Sequence, residues 1–136
     1  MTHLEACLAL NLISGMGPVR LRRLLNVLGT PENILRALPD RLQAAEGIGP
    51  ELARRIAGWE KDVDLAGEIA RMEEAGVHAV TSEEDLYPPL LKEIYDPPIV
   101  LYVRGVDVRG IHTQLDAWVR RVDGARPNTR FLTVPG

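Results

Sequence analysis

Leu42-Gln-Ala-Ala-Glu-Gly-Ile-Gly-Pro-Glu-Leu-Ala-Arg-Arg-Ile56 is the stretch whose reading decides the fold. It reads as a short helix, a tight turn at Gly47-Ile48-Gly49 and a second helix opened by Pro50. Gly47 and Gly49 permit positive φ and the close approach of another backbone. Ile48, between them, is placed to plug the gap between the two helices. Pro50 suits a first helical position, because the N–H it lacks would be unpaired there anyway. The remaining free N–H groups of such a helix start, at the positive end of its dipole, suit an anion. Arg54 and Arg55 add positive charge one turn later.

The plan occurs twice. In Leu12-Ile-Ser-Gly-Met-Gly-Pro-Val-Arg-Leu-Arg-Arg-Leu24, the Gly15-Met16-Gly17-Pro18 run aligns with Gly47-Ile48-Gly49-Pro50, position for position. The same alignment sets Arg22 and Arg23 on Arg54 and Arg55, and Arg20 lies close by. A self-match of Gly, Gly, Pro and paired Arg at one constant offset points to a structural repeat. The pattern resembles the helix-hairpin-helix module, which grips a nucleic-acid phosphate through backbone amides. Two such hairpins are expected to pack as a pseudo-twofold unit, so that neither exposes its apolar face. The resemblance makes Gly15, Gly17, Arg20, Arg22, Arg23, Gly47, Ile48, Gly49, Arg54 and Arg55 the candidate DNA-binding residues. Glycine turns that serve tight packing alone are the alternative.

Charge distribution agrees with that surface better than net charge does. The 136-residue chain carries −3 overall, yet residues 14–58 hold seven Arg against four acids, residues 59–98 hold three basic against eleven acidic groups, and residues 99–136 hold six Arg against three Asp. The hairpin repeats thus lie in a locally positive region, as a phosphate-facing surface requires. The excess is modest, so weak, salt-sensitive binding is expected. Fourteen of the sixteen basic residues are Arg; this suits bidentate phosphate contact, and a GC-rich genome would give the same bias. Apolar content of 46% and charged content of 26% are ordinary for a globular chain. With one Phe, three Tyr and two Trp, the core must come from Leu, Ile, Val and Ala. No apolar run approaches the ~20 residues that span a bilayer. Met1 to Ala9 contains Glu5 and lacks the features of a secretory signal. Cys7 is the one cysteine, which fits a cytoplasmic setting and reads as a small core residue.

Taken in order, His3–Ile13 reads as a helix with Leu4, Leu8 and Leu12 on one side, and Pro18–Leu28 as the next, stopped by Gly29. Thr30-Pro31-Glu32 is a helix start, leading into a connector over Asn33–Leu38. Pro39 is expected to end that connector and Asp40 to cap a short helix over Arg41–Ala45. Glu51–Gly58 follows the second turn. Trp59–Ala75 is expected to be the longest helix, with Val63, Ala66, Ile69 and Met72 on one side and a solvated acidic face opposite. The character changes at Gly76: Val77–Thr81 alternates and is β-branched, and Ile99–Val103 is a continuous apolar run that fits a buried parallel strand. The fold class expected is mainly α, a tandem helix-hairpin-helix unit like the SAM and RuvA second domains, followed by the start of an α/β Rossmann-like domain. The domains expected are 1–75 and 76–136. Beyond the second strand, 113–122 reads as a helix, 124–129 as a turn and Arg130–Val134 as a strand.

The double hairpin, Gly76-Val77 with Thr81, Tyr87-Pro88-Pro89-Leu90-Leu91, Asp96-Pro97-Pro98 and Leu101-Tyr102-Val103-Arg104-Gly105 together resemble the N-terminal part of DNA-processing protein A, the DprA/Smf family. The resemblance covers about residues 4–105, after which the sequence departs from the family pattern. It implies a bacterial, cytosolic, non-catalytic protein that binds incoming single-stranded DNA in natural transformation and helps to load RecA recombinase. The expected partners are DNA, single-stranded before double-stranded, then a RecA-type recombinase and a second copy of the chain, with no membrane. No cofactor or metal is expected. His3, His78 and His112 are scattered, without ligand spacing to one another or to Cys7, and no phosphate loop of the Lys-Ser/Thr type occurs. Two other functions compete: a protein-interaction or oligomerisation domain that does not touch DNA, and an accessory remnant of a nuclease or ligase.

Overall fold

The computed structural model describes residues 1–93, 97–104 and 131–133. The chain divides into two compact units, Met1–Ala66 and Gly67–Gly136.

The first unit is helical: α1 His3–Leu12, α2 Gly17–Leu28, α3 Pro31–Arg36, α4 Pro39–Leu42, α5 Pro50–Ala57 and α6 Trp59–Asp62. α1 is its centre. Five consecutive residues, Ala6 to Leu10, are buried, so the middle of this helix is enclosed on every side instead of along the single stripe expected. Its start is fixed by a capping box, in which the Thr2 hydroxyl accepts from the Glu5 amide and the Glu5 carboxylate accepts from the Thr2 amide. α3 packs against α1, α2 and α5. It opens as read from sequence, with Thr30 as N-cap and Pro31 in the first turn. Gly29 ends α2 at φ 90°, its amide donating to Leu25 O, while Asn33 Nδ2 donates to Leu28 O.

The repeat governs the core. Leu10 and Leu42, Ile13 and Ala45, Met16 and Ile48, Leu21 and Ala53, Leu24 and Ile56 are matched pairs in the repeat, and all ten are buried. The one-turn helix α4 starts at Pro39, not after it: Leu38 is the N-cap in extended conformation and Pro39 takes the first turn. The residue before a proline is pushed out of the helical region, so a helix begins more readily at proline than beyond it.

The long helix expected over Trp59–Ala75 is two helices, α6 and α7 (Leu65–Ala75). Val63 is extended (φ −111°, ψ 123°) and its amide closes α6 onto Trp59 O. Two features favour the break: Trp59 is anchored in the core of the first unit, and Asp64 precedes Leu65 where a short acceptor side chain starts a helix. No residue of α7 is fully buried; Leu65, Ile69 and Met72 are half-buried.

The second unit holds a three-stranded sheet in the order β1 (Val77–Thr81), β2 (Val100–Arg104), β3 (Phe131–Thr133). β1 pairs antiparallel with β2, Val77 opposite Arg104 and Thr81 opposite Val100. β2 pairs parallel with β3, Tyr102 opposite Phe131. The parallel neighbour expected for the apolar run is therefore β3, and the partner that precedes it in sequence runs the other way. Among its described residues, the link between β1 and β2 carries a single 3-10 turn, Pro89–Glu93, and no α-helical crossover. Val100 to Val103 are all buried, because β2 is the middle strand. Tyr87, also buried, donates from its hydroxyl to Pro98 O at 2.7 Å and ties that link down; burial pushes its pKa up. The strand expected over Arg130–Val134 corresponds to β3. The helix and turn expected over 113–129 lie outside the described residues.

Candidate nucleic-acid interface

The two glycine turns follow α1 and α4 and lead into α2 and α5. Gly15 (φ 82°) and Gly47 (φ 85°) are equivalent positions in the same left-handed region. In each turn the next residue is the plug: Met16 and Ile48 are 3% and 5% exposed. Their amides donate to Ile13 O and Ala45 O, another equivalent pair. Ile48 thus shapes its turn from within the core and is not presented outward.

Equivalence ends at the second glycine. Gly17 has φ 64°, whereas Gly49 has φ −83° and ψ 174°, an extended conformation open to any residue. The positive φ expected at Gly49 is absent. The reason lies in where the helices begin: α2 already includes Gly17, while α5 starts one position later at Pro50, with Gly49 as its extended N-cap.

The arginines cross between the turns. Arg55, following the second turn, donates from Nη1 to Ser14 O of the first at 2.7 Å. Arg23, following the first turn, donates from Nη1 to Glu46 O of the second at 3.4 Å. Arg23 and Arg55 are equivalent by the repeat, and so are Ser14 and Glu46; each hairpin therefore contacts the other in the same way, the mark of a twofold relation. The turn glycines fit the same arrangement. A Cβ at Gly15 would lie 3.0 Å from Arg55 Nη1, and one at Gly47 would lie 2.8 Å from Arg23 Nη1. Arg20 bridges the two turns, with Nη1 donating to Gly15 O at 2.9 Å and Nε to Gly47 O at 3.2 Å. Its counterpart in the repeat is Leu52, so this bridge has no mirror image. Arg55 is braced further by Glu51 at 3.5 Å on the same helix. Arg22 and Arg54, another equivalent pair, are exposed.

The ends of the helices differ in a way that matters for anions. α1 and α3 are closed by Thr2 and Thr30. Neither α2 nor α5 has a capping side chain, and Gly17, Gly49, Pro50 and Glu51 at their starts are exposed. The orphan amides of a helix start need an acceptor from somewhere, and here it does not come from a cap side chain.

A second constellation was missed by reading the histidines as scattered. His3 and Cys7 are four residues apart on α1, and His3 Nε2 lies 3.6 Å from Cys7 Sγ while Nδ1 lies 2.8 Å from Glu32 Oε1 of α3. The spacing of His3 and Cys7 was a usable signal, since i and i+4 share a helix face; the Glu32 partner was not. The order thiol, imidazole, carboxylate is that of an activated nucleophile, but Cys7 is 1% exposed and offers no room to a substrate. The group ties α1 to α3. Among the described residues no set of three His, Cys, Asp or Glu side chains is placed to hold a metal.

A family model described as a SAM-like helix-hairpin-helix tandem matches residues 8–57. That span is a tandem helix-hairpin-helix. It contains both turns, all five arginines of the cluster and every buried repeat pair. Around the tandem, the chain is similar to the protein Smf of Synechocystis sp., 28% identical over 145 residues that take in 95% of this chain and 36% of that protein. The resemblance to the DNA-processing Smf family therefore runs along nearly the whole chain and continues past Gly105. A shorter stretch is similar to DNA ligases of Chlamydia trachomatis: 33% identity to that of serovar L2 over 67 residues, 49% of this chain and 10% of the ligase, and 29% to that of serovar A over 100 residues. The chain spans about a third of the Smf protein and a far smaller share of the ligases. No solved structure matches the chain. No helix among the described residues is long and apolar enough to cross a membrane.

Proposed function

We propose that the chain is the non-catalytic DNA-binding module of a DNA-processing, Smf-like protein. Its substrate would be incoming single-stranded DNA in natural transformation and recombination, within the cytoplasm, with a RecA-type recombinase and a second copy of the chain as further partners. The observation that carries this reading is the pair of exposed helix starts without a capping side chain, one after each glycine turn, set among five arginines in a locally basic region of the chain. A phosphate at either start would accept from backbone amides and meet the positive end of the helix dipole, worth about 0.3–1 kcal/mol in an exposed setting. Such contacts hold the backbone of a polynucleotide and read no base, so binding would be independent of sequence. Resemblance to Smf and to ligases supports the assignment. Domains 1–75 and 76–136 would be its working parts, the first carrying the phosphate contacts.

The experiment is binding of labelled single- and double-stranded DNA to the full chain across a salt series. Log affinity should fall linearly with log salt, single-stranded DNA should bind more tightly, and Gly47→Val should weaken both while helical content is kept. Binding that is absent or indifferent to salt, or unchanged in a folded Gly47→Val protein, removes the proposal. A protein-interaction role is favoured by one observation, the half-buried Leu65, Ile69 and Met72 of α7; concentration-dependent self-association without DNA affinity would point there.

A further inference from the structure

Laid on each other by the repeat, the two hairpins carry different charge. Ser14–Arg23 holds three Arg and no acid, whereas the equivalent Glu46–Arg55 holds two Arg and two Glu. The acids stand where the first hairpin has Ser14 and Val19. Glu51 is set against a cation: its Oε1 lies 3.5 Å from Nη2 of Arg55, one turn further along α5. Arg55 Nη1 meanwhile donates to Ser14 O at 2.7 Å. The Glu51 side chain is 82% exposed and that of Arg55 32%, so the pair lies at the surface, within reach of a ligand. We propose that Glu51 is a built-in competitor of phosphate: it takes the donor of Arg55 that a polynucleotide would otherwise meet, and so holds down the affinity of the interface. Resting on the phosphate-binding reading above, this role makes Glu51 a residue that sets affinity without touching DNA.

A carboxylate and a phosphate ask the same thing of a guanidinium, a charge-assisted N–H bond from its planar fork. An acid four residues before a basic residue on a helix is the favourable order for pairing, and an acid in the first turn also meets the positive end of the helix dipole. Glu51 satisfies both conditions on α5. It therefore stabilises the free protein and opposes an anion arriving at the same place, by repulsion and by occupying the donor. The first turn of α2 contains no acid, and Val19 stands four residues before Arg23, the counterpart of Arg55. An exposed ion pair of this kind is weak enough for a phosphate to displace, so Glu51 tempers binding and does not block it. Removing the acid should accordingly move affinity and stability in opposite directions.

The test is titration of a labelled oligothymidylate single strand with the full chain across a salt series, together with thermal unfolding. Glu51→Gln should bind about two- to five-fold more tightly, with a salt slope steeper by about 0.7, the value for one added phosphate contact on a single strand. Its thermal midpoint should fall by about 1–3 °C. Glu51→Asp keeps the charge on a shorter arm, so it should bind more tightly than the parent if pairing with Arg55 is what counts. In an Arg55→Gln background the gain from Glu51→Gln should vanish. If Arg55→Gln does not fold, the first hairpin carries the same test: Val19→Glu, which sets an acid four residues before Arg23, should bind about two- to five-fold more weakly than Val19→Gln. A Glu51→Gln affinity equal to the parent's, a Glu51→Asp affinity equal to the parent's, or a gain that survives the loss of Arg55 overturns the competitor role while the phosphate reading stands. Failure of both the unaltered chain and Glu51→Gln to bind removes the phosphate reading and the competitor with it.

Discussion

Gly47 and Gly49 flank one isoleucine, yet they bear different constraints. Gly47 sits at φ 85° with Arg23 Nη1 2.8 Å from where a Cβ would be, whereas Gly49 has φ −83° and nothing within 4 Å of that point. Gly47→Ala is expected to cost about 1–3 kcal/mol, from the left-handed backbone and the displaced guanidinium. Gly49→Ala should stay within about 0.5 kcal/mol of the parent, since the lower entropy of the unfolded chain offsets a slightly poorer N-cap. Urea midpoints of the two variants decide the matter, and equal losses would contradict the conformational argument. From sequence the two glycines looked alike. Their difference depends on which residue first enters the helix, and a Gly-x-Gly-Pro run does not specify that. The arginines were legible as a cluster, but the bonds that Arg20, Arg23 and Arg55 make to carbonyls of the turns were not, because a sequence does not say which carbonyl a guanidinium reaches.

Among elements, α3 joins the two hairpins and is fastened at its start. Thr30 Oγ1 accepts from the Asn33 amide at 3.1 Å, so Thr30→Ala should destabilise the chain by about 1 kcal/mol in denaturant unfolding. Glu32, in the same first turn, accepts from His3 of α1. Its carboxyl is held below its ordinary value of 4.5, mainly by its own backbone amide, with the His3 hydrogen bond adding and desolvation opposing. A carboxylate whose folded pKa is depressed contributes stability that is present above 4.5 and is lost as pH falls through the lowered value. Glu32→Gln should therefore lower the thermal midpoint at about pH 6, and the gap to the parent should close as pH drops well below 4.5; a gap independent of pH would rule out the ionised contact. The Thr30-Pro31 start was readable because capping is local chemistry. The break at Val63 was not, because the pattern of apolar residues runs through it and what anchors Trp59 lies elsewhere in the fold. Likewise the apolar run of β2 announced a central strand, but the direction of its neighbours depends on connections that periodicity does not encode.

At the scale of the molecule, the first unit is built by repetition: ten buried residues pair through one constant offset, and the hairpins exchange arginines across their junction. A chain ending at Ala75 keeps every one of these contacts and is expected to fold independently, with a cooperative thermal transition followed by helical circular dichroism; a non-cooperative melt would show that the expected domain 1–75 is not autonomous. The constant offset made the tandem readable before any coordinates, since Gly, Pro and Arg recur with it. The sheet was less so, because β2 ends at Arg104 and its parallel neighbour begins only at Phe131.

Arg20 has Leu52 as its counterpart, and this one unmatched side chain has a consequence for whatever lies across the turns. A perfectly dyadic clamp would offer the same grip to a polymer threaded from either end. A lone bridge on one side of the axis makes the two threadings unequal, so a strand with distinct 5′ and 3′ ends would meet a surface able to tell them apart.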